Sequence, residues 1–116
     1  MDVYTIYADH TPKINAYHFA KKMKLFLDKM VELGHMESYR LTRMKLGFRS
    51  MDLPEFRIDM EFKNMQQLDD AMTSVLRNEE NIEGEHVGFN HMVAVETIQH
   101  FLYRDEILVV SSHQMK

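Results

Sequence analysis

Between Glu55 and Phe62 every second residue is apolar: Phe56, Ile58, Met60 and Phe62 alternate with Glu55, Arg57, Asp59 and Glu61. Successive side chains of a strand point to opposite faces, so this period of two predicts a strand with one face in a core and a row of four charges on the other. Residues 2–9, DVYTIYAD, are rich in β-branched and aromatic types and stop at HTP, which predicts a strand running into a loop. Its rows are Val3, Thr5, Tyr7, Asp9 and Tyr4, Ile6, Ala8, His10; the second is the more apolar and is assigned to the core, which puts Tyr7 on the opposite face.

The period changes between Asn15 and Leu33. Ala16, Phe19, Ala20, Met23, Phe26, Leu27, Met30 and Leu33 recur at helical spacing, with lysines and acids off the stripe. Asn15 is placed to cap this helix and Gly34 to end it. Residues 35–48 alternate imperfectly and neither row is cleanly apolar, which suits a charged edge strand, bulged near Gly47, before a turn at 49–54. Asn64 followed by Gln67 resembles a capping box, and Met65, Leu68, Ala71, Met72, Val75 and Leu76 form a second amphipathic stripe. Beyond an acidic connector at 78–85, residues 86–93 are read as a short third helix, 94–105 as a fourth strand and 106–110 as a short fifth.

This order, β-α-β-β-α-(α)-β, consists of two βαβ halves. Right-handed crossovers place both helices on one face of a four-stranded antiparallel sheet. The expected class is therefore α+β with a ferredoxin-like plan, one domain over 1–116, and 106–116 as a tail able to exchange as a strand. The plan makes the charged strand central and leaves its polar row on the uncovered face.

Composition narrows the chemistry. A chain of 116 residues with 45% hydrophobic content fits one domain with a real core. A formal charge of −4 and a pI near 5.9 argue against general affinity for nucleic acid or an anionic membrane. An RNA-reading sheet would show aromatic and basic residues where this strand shows Glu55, Asp59 and Glu61. The absence of cysteine excludes disulfides, thiolate nucleophiles and cysteine-ligated metals. No leader pattern is visible and no apolar run approaches the ~18 residues needed to span a bilayer, so a cytoplasmic location is the expectation. Eleven methionines are read mainly as core filler, with Met23, Met30, Met60, Met65, Met72 and Met92 on the predicted stripes.

The elements together resemble the dimeric α/β barrel proteins of ferredoxin-like fold. The resemblance is carried by DVYTIYAD, by the helix end MVELGH, by PEFRIDMEFKNMQQLDDAM and by HMVAVETIQHFLYRD. It covers nearly the whole chain as a pattern of elements and points to a subfamily of uncharacterised function. It implies a homodimer in which two sheets pack face to face, with a pocket on the sheet's open side and a small organic molecule held between sheet and helices. The apolar ILVV segment would then add to the partner's sheet, for which an unpaired strand edge supplies the motive.

Two functions follow from that resemblance. One is a small-molecule pocket, either in a cofactor-independent enzyme of monooxygenase or cyclase type or in a plain binder. There Arg57 orients an anionic or phenolic group, Asp59 or a histidine moves a proton, and Tyr7 and Tyr103 supply walls; Glu61 continues the polar row. The other is a non-catalytic stress-response or interaction protein whose barrel is purely structural. His86 and His91 are the histidines expected nearest a pocket mouth. Their spacing of five puts them on different faces of a helix and matches no metal signature, so no metal and no cofactor are expected, haem being the lesser alternative among superfamily members. No nucleophile elbow or phosphate-binding loop is present.

Overall fold

Phe56, Ile58, Met60 and Phe62 are all buried as one row of a central strand, and the charged row between them lies on the face away from the helices. The computed structural model describes residues 1–46, 53–76 and 92–107. In chain order the elements are β1 (Asp2–His10), α1 (Ala16–Glu32), β2 (Ser38–Arg43), β3 (Phe56–Phe62), α2 (Met65–Leu76) and β4 (Val93–Arg104). The sheet order is β2-β3-β1-β4 and every pair is antiparallel, so β3 and β1 are central and β2 is an edge.

Both helix starts use the expected residues. Asn15 accepts from the His18 amide at 2.8 Å, and the chain leaves α1 through Gly34 at φ +79°, where the Gly34 and His35 amides return to Val31 and Met30. At α2, Asn64 Oδ1 accepts from the Gln67 amide at 2.9 Å while Gln67 Oε1 accepts from the Lys63 amide at 2.7 Å. The Gln67 amide group also donates to the Gly34 carbonyl and to Glu37, tying the start of α2 to the end of α1.

The core is the layer where Phe19, Met23, Leu27 and Met30 of α1 and Leu68 and Ala71 of α2 meet the inner rows of β3 and β1, with Ala8 buried and Tyr4 and Ile6 half-buried. Asp2 lies buried on this side, held by Arg104 Nε at 2.8 Å.

Several expectations are corrected. Met65 and Met72 are exposed, because the buried stripe of α2 centres on Leu68 and Ala71 and leaves those two on its flank; Met36, which no helical stripe marks, is buried instead. β4 begins at Val93, with Met92 in a turn, so the third helix does not extend through 92–93; its positions 86–91 lie outside the described residues. β4 is not an even strand: Tyr7 pairs with Gln99 but Asp9 with Ala94, so extra residues loop out of β4 between them. Glu106 and Ile107 are not in a strand, while the rest of the fifth-strand segment, Gly47 and most of the 49–54 turn lie outside the described residues. No described helix is long and apolar enough to cross a membrane.

Candidate functional site

Strand register determines which side chains share the open face. Thr5 stands between Asp59 and Phe101, Tyr7 between Arg57 and Gln99, and Val3 between Glu61 and Tyr103; across β3, Arg40 faces Asp59 and Ser38 faces Glu61. Side chains of one parity therefore make a surface polar toward β2 and aromatic toward β4.

At its centre the Arg57 Nε lies 3.0 Å from Asp59 Oδ2, and the guanidinium sits over the Tyr7 ring at 5.6 Å. Thr5 Oγ1 donates to Asp59 Oδ1 at 2.6 Å. Asp59 is thus committed as an acceptor on both oxygens, whereas Arg57 uses one of its five N–H donors on Asp59. Tyr7 in turn meets Phe101 edge-on at 6.2 Å, and Phe101 lies 6.4 Å from Tyr103. Phe101 is 44% and Tyr103 54% exposed, a pair of aromatic side chains left on a sheet face that neither described helix covers.

Beside this cluster a cavity of about 330 Å³ is lined by Val3, Tyr39, Arg40, Asp59 and Glu61. Glu61 accepts from the Ser38 hydroxyl, and Arg40 has no side-chain partner among the described residues. On the helix side of the sheet, the space beneath α1 and α2 is filled by the core side chains, so this cavity is on the opposite side.

Of the residues singled out from the sequence, Tyr7, Arg57 and Asp59 are brought into contact, Glu61 joins Asp59 at the cavity wall, and Tyr103 is linked to them through Phe101. His86 and His91 lie outside the described residues. His100 faces the helix side, with its Nδ1 2.8 Å from the Tyr4 hydroxyl. Burial pushes the Tyr4 phenol up from its ordinary pKa. No group of three His, Asp or Glu side chains is arranged to hold a metal ion among the described residues.

Thr5 lies where the alternation of β1 puts it, on the open-face row with Tyr7, and two residues escaped the sequence reading, Phe101 and Arg40. Phe101 follows from the parity of its strand once the register is known. Arg40 sits in a segment whose two rows are equally polar, so nothing in the alternation distinguishes its face.

Solved structures share this architecture at low identity. The Arabidopsis thaliana protein At3g17210 superposes with a TM-score of 0.75 at 5% identity, covering 95% of this chain and 100% of its own. An ethyl tert-butyl ether D family protein from Bacillus halodurans gives a TM-score of 0.58 at 12% identity, with 91% of this chain and 100% of the other covered. A protein of Bacteroides fragilis, described as dimeric, of unknown function and of ferredoxin-like fold, gives 0.53 at 10% identity over 90% and 95%. These likenesses show the fold alone. No curated protein matches the sequence. Residues 1–107 match the DUF6614 family, described as a family of unknown function, and the chain belongs to that family.

Proposed function

We propose that two copies pack open face to open face into an α/β barrel, and that the enclosed surface binds a small organic molecule bearing an anionic or phenolic group. The observation that carries this reading is Arg57, held between Asp59 and the Tyr7 ring on a sheet face that neither described helix covers, with donors left for a ligand. The exposed Phe101 and Tyr103 beside it supply apolar area for the second copy, as the centre of an interface requires. A protein of the same fold is described as dimeric, which supports the assembly without defining its geometry.

Binding is favoured over proton-transfer catalysis by the state of Asp59. Both its oxygens already accept a bond, so a monooxygenase- or cyclase-type mechanism that used it as a base would have to work through the lone pairs that Thr5 and Arg57 leave. The structural alternative, a barrel with no ligand, predicts a dry interior with every charge paired.

Light scattering combined with native mass spectrometry of protein purified without added ligand tests the proposal. A dimer carrying a retained small molecule that is lost in Arg57→Ala is the expected result. A monomer at micromolar concentration removes the barrel; a ligand-free dimer unaffected by Arg57→Ala leaves the structural alternative.

A further inference from the structure

The cavity of about 330 Å³ on the open face contains both a cation and a carboxylate oxygen that the fold leaves unused. Strand register puts Arg40 of β2 opposite Asp59 and Ser38 opposite Glu61, so Arg40 and Glu61 stand diagonally across the β2–β3 pair. Diagonal positions are about 7–8 Å apart, a gap that one small polar group bridges. Arg57 is the other diagonal neighbour of Arg40, on the far side from Glu61.

The polar atoms of this row are engaged unequally. Asp59 accepts from Thr5 and from Arg57, and Glu61 Oε1 accepts from the Ser38 hydroxyl. Glu61 Oε2 and the whole guanidinium of Arg40 have no hydrogen-bond partner among the described residues, although both side chains line the same cavity. The Tyr39 hydroxyl donates to Asp28 on α1 at 2.6 Å, so Tyr39 brings its ring and no donor to the cavity wall, where Val3 adds apolar surface. Arg40 and Arg57 are balanced by Asp59 and Glu61, which leaves the row without net charge.

We propose that Arg40 and Glu61 clamp the zwitterionic head of a small α-amino acid, its carboxylate on the Arg40 guanidinium and its ammonium on Glu61 Oε2. A plain anion would meet Arg40 but face Glu61 and Asp59, a plain cation would face two arginines, and a neutral ring would use neither free group. The fork of Arg40 matches a carboxylate in two parallel hydrogen bonds. The cavity is at the low end of the range for small-molecule sites, roughly 300–1,000 Å³, which suits a compound of amino-acid size.

The clamp rests on the reading of the open face as a small-molecule site and names the ligand class. Glu61 and Arg57 are four residues apart on β3, about 13 Å along the strand. An extended phenolic amino acid with a hydrogen bond at each end covers that span, and its phenol oxygen accepts from the donors that Arg57 leaves free.

Calorimetric titration of the full-length protein with L-tyrosine, 3-(4-hydroxyphenyl)propionate and tyramine tests this, because the last two each lack one charge of the head. L-Tyrosine should bind at least tenfold more tightly than either. Arg40→Gln should weaken L-tyrosine and the propionate at least tenfold and leave tyramine no weaker, and Glu61→Gln should weaken L-tyrosine and tyramine and leave the propionate no weaker. Arg57→Ala should weaken all three. Propionate or tyramine binding as tightly as L-tyrosine, L-tyrosine affinity unchanged in Arg40→Gln or in Glu61→Gln, or no binding of any of the three would overturn the clamp and leave Arg57 as the anchor of another ligand. Affinities unchanged in Arg57→Ala would instead remove the reading on which the clamp rests.

Discussion

Thr5 donates its hydroxyl to Asp59 Oδ1 at 2.6 Å across the two central strands, and it is fully buried although it lies on the face away from the described helices. A small side chain set between Asp59 and Phe101 is shielded by its larger neighbours, so its hydroxyl has Asp59 in place of water. Removing one partner of such a bond leaves the other group's desolvation uncompensated. Thr5→Val should therefore cost on the order of 1–3 kcal/mol in urea unfolding, at the lower end because Arg57 still holds Asp59. Thr5→Ser should recover most of the loss, whereas a Val variant as stable as the parent would show the hydroxyl to be idle.

Arg57 combines an ion pair with a ring contact, and the two respond differently to substitution. The pair is half-exposed and contributes about 0–1 kcal/mol, so Arg57→Ala should change monomer stability by about that amount or less. Arg57→Lys keeps the charge but loses the planar group that stacks on Tyr7. If the enclosed face binds an anion through a forked guanidinium, Lys should retain less than a tenth of the ligand affinity while unfolding at nearly the parental denaturant concentration. Full affinity in Arg57→Lys would assign Arg57 a point-charge role only.

Acid stability should depend on Asp2. The hydrogen bond from Arg104 holds the Asp2 carboxyl below its ordinary pKa, and in the same way Asp2 raises Arg104. A carboxylate depressed in the folded state binds fewer protons there than in the unfolded chain. Its contribution is complete above the unfolded value of about 3.9 and is lost as pH falls through the lower folded value. The stability difference between the parent and Arg104→Gln should accordingly be constant from neutral pH to about pH 5 and shrink below about pH 4. A difference that grows on acidification would contradict this assignment.

Much of this arrangement was legible because one periodicity dominates each central element. The strict alternation of β3 gave both its buried row and its charged row, and Asn15, Gly34, Asn64 and Gln67 marked helix ends through local hydrogen bonds that need no tertiary partner. What was not legible depends on neighbours distant in sequence. Met65 and Met72 satisfy a helical stripe but face outward, because the width of the buried face is decided by how α2 sits on the sheet. Tyr7, Arg57 and Asp59 could be placed on one face from parity, yet the contacts of Arg57 with Tyr7 and Asp59 with Thr5 needed the β1–β3 register. Arg40, on an edge strand polar on both rows, carried no signal at all.

The break in β4 has a single side chain across it. Thr97 Oγ1 accepts from the Asp9 amide at 2.9 Å and donates to the Ala94 carbonyl at 2.6 Å, bonding two backbone groups at the point where the β1–β4 register shifts. Asp9 is fixed on its other side too, its carboxylate accepting from the Glu55 amide at 2.6 Å, so the bulge, β1 and the entry to β3 are joined. Thr97→Val keeps the shape and β-branching but leaves a backbone donor and a backbone acceptor unpaired, each a loss of about 1 kcal/mol or more where water cannot replace the hydroxyl. The variant should unfold at lower denaturant and show at least tenfold faster hydrogen exchange at the Asp9 amide, while Tyr7 and Thr5 exchange as before. Thr97→Ser should restore protection at Asp9. If Asp9 is equally protected in Thr97→Val, the register shift is held by the strand pairing on either side of it and not by the hydroxyl.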